Sequence, residues 1–470
     1  MIPLNETKKT VGLDLTEGSI IRQLVIFVLP LLLANVVQQL YNTVDMIIIG
    51  QYVGSHGTGG VSVGGEVASL ITFIAMAFGS AGQIYVAQLF GAGRRREISE
   101  TLTTGMVFVT ILSLVITVIN IFAADLFLGW LNCPSEAYAQ AKSYMLIAAV
   151  GLPFIFGYNM VCGVLRGMGE SKWPLVFIII AAVSNVFMDW LLVAVIPLEA
   201  AGTAIATVIA ELASFIAAFV YLYHSREKFG ISFDRASLKM HKKHLMVLLK
   251  LGIPLTAQSA LIHVTQLICT SNVNAFGIVE TNVNSIGKKL QTLINTFVTS
   301  INQGAGTMIG QNLGAGKFDR VNEVLKTTIL TSYIFSVISI LIAIFLPRAA
   351  FGLFLKADDP NYEGIMALGE TYLHICIIIF AISPVQGVLM ALINGSGNAK
   401  LALFAGILDG VILRFGFSFI LAYTLNFGAK GFFYGDALAR FGPFFVGAYY
   451  YLSGKWKSYN LLGGHNEKAD

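Results

Sequence analysis

The chain has 470 residues, of which 56% are hydrophobic and only 12% charged, with a formal charge of +4. A soluble domain carries roughly 25% charged residues, so this composition excludes a separate soluble domain of any size and points to a polytopic membrane protein. The small positive charge gives no argument for nucleic acid, because the basic residues fall in the connections between apolar runs, where they set topology.

The first twenty residues are polar and have no signal-peptide core, so the first spanning helix is expected to direct insertion and to be kept. Apolar runs long enough to cross a bilayer then recur at about twenty residues or more each. In the first half they lie at 24–50, 61–89, 99–123, 139–163, 174–196 and 200–223. In the second half they lie at 247–274, 283–311, 324–346, 366–392, 401–424 and 430–452. This predicts an all-α protein of about twelve transmembrane helices. The eighth is the weakest, because Lys288 and Lys289 interrupt its start and are expected to snorkel to an interface. The Met1–Ser19 segment and residues 453–470 are expected to be cytoplasmic tails. Residues 20–223 and 247–452 form two lobes joined by a basic linker, 224–246, which is either a solvated connection or a short amphipathic surface helix.

The halves repeat one another. Gln88-Leu89-Phe90-Gly91-Ala92-Gly93-Arg94 recurs as Gln311-Asn312-Leu313-Gly314-Ala315-Gly316-Lys317, and Gly167-Met168-Gly169-Glu170-Ser171-Lys172 as Gly395-Ser396-Gly397-Asn398-Ala399-Lys400. Both pairs keep nearly one offset, so the protein reads as a duplicated six-helix unit. An even helix number gives both copies the same orientation, as parallel repeats in transporters have. The glycines at the helix ends suit left-handed caps. Basic residues follow the even-numbered helices: Arg94, Arg95 and Arg96, Arg166 and Lys172, Arg226 and Arg235, Lys317 and Arg320, Lys400, Lys455 and Lys457. Positive-inside logic therefore puts both termini in the cytoplasm. Arg348, Lys356 and Lys430 run against that pattern and are outnumbered.

Ionisable residues inside spans are costly and are candidates for function. Asp45 lies late in the first helix. Asn185 and Asp189 lie four apart in the fifth, and so on one face. Thr207 is early in the sixth. Two carboxylates with an amide and a hydroxyl can bind a proton or a dehydrated sodium ion, a hard cation that takes oxygen ligands. The alternative is interfacial capping by Asp45 and an interfacial place for Asp189 beside Trp190. Pro30 removes a backbone hydrogen bond fifteen positions before Asp45, making either a bend point or a passive kink. In the second copy Cys269 stands at the position of Asp45, and Phe417 near that of Asp189, so ion coupling is expected in the first lobe only. Asp409 and Arg414 either pair across helices or line the cavity, and Asp436 with Arg440 reads as an i,i+4 ion pair. Glu211 and His263 have no assigned role. There is no phosphate-binding loop, and His241 and His244, three apart, lack a glutamate partner pattern, so an ATPase or a membrane metalloenzyme is not supported.

Taken together, Pro30, the Asp45-Met46-Ile47-Ile48-Ile49-Gly50 segment, Gln88 with Gly91-Ala92-Gly93, Gln311 with Gly314-Ala315-Gly316 and the Gly-x-Gly turns at 167 and 395 carry a resemblance. The chain resembles the multidrug and toxic compound extrusion (MATE) family over essentially 20–452, in the manner of a MepA-like or DinF-like bacterial member. The resemblance implies two six-helix bundles in a V around a central cavity. It also implies efflux of amphipathic, often cationic drugs or toxic metabolites in exchange for H⁺ or Na⁺ by alternating access. It implies a first-lobe ion site at Asp45, Asn185, Asp189 and Thr207, with Pro30 as the bend. No cofactor and no metal beyond Na⁺ at that site is implied, and no nucleic-acid partner. The expected setting is a monomer in the inner (plasma) membrane. The second-lobe acids found in another branch are absent: Ile262 and His263 occupy the helix-7 region and Ser383 the helix-10 region. The rivals are a lipid or oligosaccharide flippase of the same superfamily and a major facilitator transporter. The latter usually has an acidic, arginine-rich turn after its second helix, where this chain has Gly-Ala-Gly.

Overall fold

The computed structural model describes residues 12–131, 133–231, 239–355, 360–459 and 461–462. The first eleven residues, Arg235 in the linker, Lys356 and the tail from 463 lie outside the described residues. All regular structure among the described residues is helical. The first copy comprises α1 (Ile20–Tyr52), α2 (Ser55–Gly91), α3 (Arg95–Trp130), α4 (Ser135–Gly167), α5 (Lys172–Asp189) and α6 (Glu199–His224). The second comprises α7 (Lys242–Asn274), α8 (Ile278–Gly314), α9 (Phe318–Phe345), α10 (Tyr362–Ser396), α11 (Ala399–Ile407) and α12 (Ala429–Ala439, continued by Phe441–Leu452). Of these, 10 are long and apolar enough to cross a membrane. Helix α8 misses that hydropathy criterion but runs unbroken for 37 residues through Lys288 and Lys289. Helix α12 is interrupted at Arg440. Pro443 has no N–H to offer the Ala439 carbonyl, which is where the helix lets go.

The repeated motifs make the same local structure twice. Gly93 and Gly316 both sit at φ +71. Around them Ala92 N donates to the Gln88 carbonyl at 3.0 Å and Arg94 N to Leu89 at 2.9 Å, while Ala315 N donates to Gln311 at 3.0 Å and Lys317 N to Asn312 at 2.8 Å. This is a left-handed C-terminal cap that only glycine enters without steric cost. Gly169 and Gly397, at φ +83 and +85, close α4 and α10 in the same way. The next residue caps the following helix. Glu170 Oε1 accepts from Lys172 N at 2.9 Å, and Asn398 Oδ1 from Leu401 N at 3.2 Å. Burial pushes the Glu170 carboxyl above the ordinary glutamate range, against the pull of those N–H donors.

Packing repeats as well. Helix α4 packs on α2 and α10 on α8. A Cβ on Gly167 would stand 2.7 Å from the Gln83 carbonyl oxygen, and one on Gly395 would stand 2.8 Å from that of Gly306. Their next neighbours, Val86 and Ile309, also correspond. Close approach of backbones at small residues is how helices associate in lipid. Each copy carries prolines in its first and fourth helices: Pro30 and Pro153, then Pro254 and Pro384.

The chain divides into two compact units. The first holds residues up to Glu17 and Val25–Ile253; the second holds Gly18–Leu24 and the chain from Pro254 onward. The start of α1 thus belongs to the second unit, where Arg320 Nη2 donates to Gln23 Oε1 at 3.0 Å. The start of α7 belongs to the first. There His244, 1% exposed, receives or donates at Nδ1 to the Tyr85 hydroxyl at 3.0 Å and contacts Glu100 through Nε2 at 3.0 Å. The pairing of His244 with a glutamate is a helix-to-helix contact that residue spacing along the linker does not reveal. In the linker itself, the turn Arg226–Phe229 is the helical piece among the described residues, closed by Gly230 at φ +70.

Candidate functional site

In the first unit, α5 carries Asn185 and Asp189 inward on one face, at 1% and 0% exposure. Asp189 ends the α-helical part of α5, which continues as wide π turns over Trp190–Val195. Such turns free backbone geometry locally and are frequent at functional sites. Gly202 lets α6 close on them, since a Cβ there would meet the Leu192 carbonyl oxygen at 2.6 Å. Asp45 enters from α1. Four residues further on, Ile49 is fully buried beside Val61, Val193 and Ala200. The half-buried Asp45 side chain faces Asp189 and Asn185 at interaction distance.

Yet Asp45 Oδ1, both polar atoms of Asn185 and both oxygens of Asp189 complete no hydrogen bond, although all are buried. Buried polar atoms are ordinarily paired, and exceptions call for an explanation. Two neighbouring carboxylates and a carboxamide oxygen form an acceptor set that a single cation satisfies; two bare charges in that setting are costly. Tyr144 on α4 and Tyr41 on α1 flank the acids electrostatically, together with Glu211 from α6. Glu211 fits because α4 has Gly151 opposite its carboxylate. Sequence reasoning did not find Tyr41 and Tyr144, which look like any aromatic in an apolar helix. Thr207 is not drawn into hydrogen bonding with these acids. Its hydroxyl donates to the Thr203 carbonyl at 3.0 Å, a turn back on its own helix. Thr203, 2% exposed, carries a buried hydroxyl on α6 that completes no hydrogen bond.

In the second unit, α11 continues beyond Ile407 as π turns over Leu408–Phe417 and Ile420–Thr424. In an α-helix, residues five apart sit roughly 140° from each other around the axis. The i→i+5 turn brings them to nearly the same face. Asp409 and Arg414 therefore pair within one helix, with Arg414 Nη2 donating to Asp409 Oδ1 at 2.7 Å. Both are buried, at 4% and 3% exposure. Arg414 Nη1 pairs with Asp436 on α12. Asp436 thus bonds across helices to Arg414, and the expected i,i+4 pair with Arg440 does not form. The α12 helix breaks at Arg440, so the regular i,i+4 geometry is lost there. Gln291 Nε2 supports Asp436 Oδ2 at 3.4 Å. Lys288 does not snorkel. It is half-buried, bonds Thr270 Oγ1 and faces a cavity of about 180 Å³ that Arg414, Asp436 and Arg440 also line.

The MatE family pattern matches residues 30–191 and again 254–433, once on each copy of the repeat. The chain belongs to the MatE family. Two relatives from Bacillus subtilis (strain 168) are similar along much of it. YpnP, named a probable multidrug resistance protein, is 26% identical over 453 residues, covering 96% of this chain and 98% of its own. YoeA, also named a probable multidrug resistance protein, is 28% identical over 355 residues, covering 74% and 76%. The solved outward-facing structure of a multidrug resistance MATE family transporter of the MOP superfamily superposes with a TM-score of 0.86 at 18% identity, covering 95% and 98%. As a MatE protein the chain is a multi-pass membrane transporter, with the all-helical, duplicated fold expected from its sequence.

Proposed function

We propose that the chain is a secondary active multidrug exporter. It moves amphipathic, cationic compounds or toxic metabolites outward in exchange for H⁺ or Na⁺, by alternating access, as a monomer in the plasma membrane with both termini cytoplasmic. The observation that carries the reading is the orphaned acceptor set of Asp45, Asn185 and Asp189. Its oxygens suit a proton or a sodium ion. The names of YpnP and YoeA support the substrate class, and the basic connections after even-numbered helices support the topology.

In this mechanism Asp45 is the mobile half of the site and Asp189 the fixed half, because Asp189 is sealed in α5 while Asp45 rides on α1 beyond Pro30. A cation between them joins α1 to α5. When the cation leaves, the two carboxylates repel and α1 is released to rearrange about Pro30, where the Ile26 carbonyl has lost its helical donor. Exchange follows if the cation and the exported compound favour different arrangements of the site, since a ligand shifts a conformational equilibrium only by its differential affinity. Thr207 contributes oxygen lone pairs from α6. In everted membrane vesicles, Asp45→Asn abolishes ion-driven efflux of a cationic dye at wild-type expression. Normal transport by that variant sinks the assignment. Imposing proton and sodium gradients separately identifies the coupling ion.

A further inference from the structure

The second unit's cavity has the opposite polarity to the site in the first. Its walls come from α7, α8, α10, α11 and α12, and include Lys288, Arg414, Arg440 and Asp436. Arg414 divides its two terminal nitrogens between Asp409 and Asp436. With Lys288 and Arg440 counted, three basic side chains face two acidic ones, an excess of one positive charge. Three buried polar atoms of lining residues complete no hydrogen bond: Asn284 Nδ2, Arg414 Nε and Arg440 Nε. All three are N–H donors. In the first unit, by contrast, the carboxyl atoms left over at Asp45 and Asp189 are acceptors. Cys269, which stands at the repeat position of Asp45, lines the second cavity. Duplication has thus produced an acceptor site in one copy and a donor site in the other.

A cavity with leftover donors and one excess positive charge calls for an anionic acceptor. Its size limits the choice. About 180 Å³ holds roughly six waters at liquid density, below the roughly 300 Å³ at which drug-sized pockets begin. The rest of the lining is mixed: Val273, Tyr372, Phe432 and Phe433 make an apolar, largely aromatic wall, and Gln266, Gln291, Thr292 and Asn295 add neutral polar groups. A carboxylate offers oxygens in a plane that guanidinium N–H groups match, and a short apolar body suits the aromatic wall. We propose that this cavity binds a small organic carboxylate, held by Lys288, Arg440, the free Nε–H of Arg414 and the Asn284 amide. The site involves none of the residues assigned to the coupling cation, so it stands or falls separately from the exchange reading.

The test uses the purified full-length protein, with benzoate as the probe and benzamide as its uncharged counterpart, followed by calorimetric titration and thermal melting. Benzoate binds saturably and raises the melting temperature, while benzamide does neither. Lys288→Gln and Arg440→Gln each weaken benzoate binding by about tenfold, the usual scale for losing one charged hydrogen-bond donor, and Arg440→Lys loses less. Equal binding of benzoate and benzamide by the wild-type protein overturns the proposal even if the variants fail to fold. Unchanged affinity in folded variants overturns it as well. Capture of phosphatidylglycerol vesicles through Lys288 and Arg440, with no binding of free benzoate, assigns the donors to a lipid headgroup and refutes the small-carboxylate assignment.

Discussion

Arg414→Met isolates the energetic role of the buried ion-pair network. In the native protein Arg414 is 3% exposed and serves Asp409, 4% exposed, and Asp436 on the neighbouring helix. Removing the guanidinium takes away the buried partner that both carboxylates share, while Gln291 still donates to Asp436 at 3.4 Å. Breaking a buried pair by deleting one partner costs about 3–5 kcal/mol, because the surviving charge is left uncompensated. In a unit of this size each kcal/mol corresponds to roughly 2–4 °C, so the variant should melt on the order of 10 °C below the wild type. The melt is read by size-exclusion recovery after heating in detergent. Adding Asp409→Asn and Asp436→Asn to Arg414→Met should recover most of the loss, since the penalty lies in the stranded charges and not in the missing contact. Arg414→Lys should fall between, because one ammonium lacks the planar fork that reaches two carboxylates. Melting of Arg414→Met within about 1 °C of the wild type would refute the view that this network holds α11 to α12.

Two further outcomes follow from the packing. Gly167→Ala and Gly395→Ala should destabilise to a similar extent, by about 1–2 kcal/mol after the helix-propensity gain, because in both the new methyl meets a backbone oxygen that cannot rotate away; a large loss in one and none in the other, by thermal melting, would break the structural equivalence of the copies. His244→Leu should cost about 1–3 kcal/mol, leaving Glu100 and the Tyr85 hydroxyl without the imidazole between them, and faster hydrogen exchange at the start of α7 is the measurement that reads it.

The repeat, the helices and the first-unit acids were legible in the sequence because each rests on a local signal. Glycine takes a positive φ at a helix C-terminus without steric cost, and so the paired Gly93 and Gly316, and Gly169 and Gly397, announced the duplication. Asp45 and Asp189 stood out by charge in apolar runs, and the structure brings them together with Asn185. Thr207 stands out by depth along α6; its hydroxyl donates to the Thr203 carbonyl, and the Thr203 hydroxyl one turn earlier completes no hydrogen bond. In the second unit the sequence shows that Asp409 and Arg414 need partners, and both are paired, but it does not show where the helices leave the α-geometry. Nothing in Leu408–Phe417 signals a wider turn, and without it Asp409 and Arg414 do not share a face. The break at Arg440 separates Asp436 from its expected partner. Lys288 looked like a snorkelling residue because its three-dimensional neighbours, Thr270 and the cavity wall, come from other helices.

The exchange reading is tested most directly by reconstituting the wild-type protein and the Asp45→Asn and Asp189→Asn variants in liposomes, imposing a gradient of a cationic dye, and recording proton and sodium fluxes. The account predicts that the dye gradient drives one of those ions the opposite way in the wild type and neither ion in the two variants. Wild-type dye movement with no accompanying ion flux, or ion flux undiminished in both variants, would contradict it.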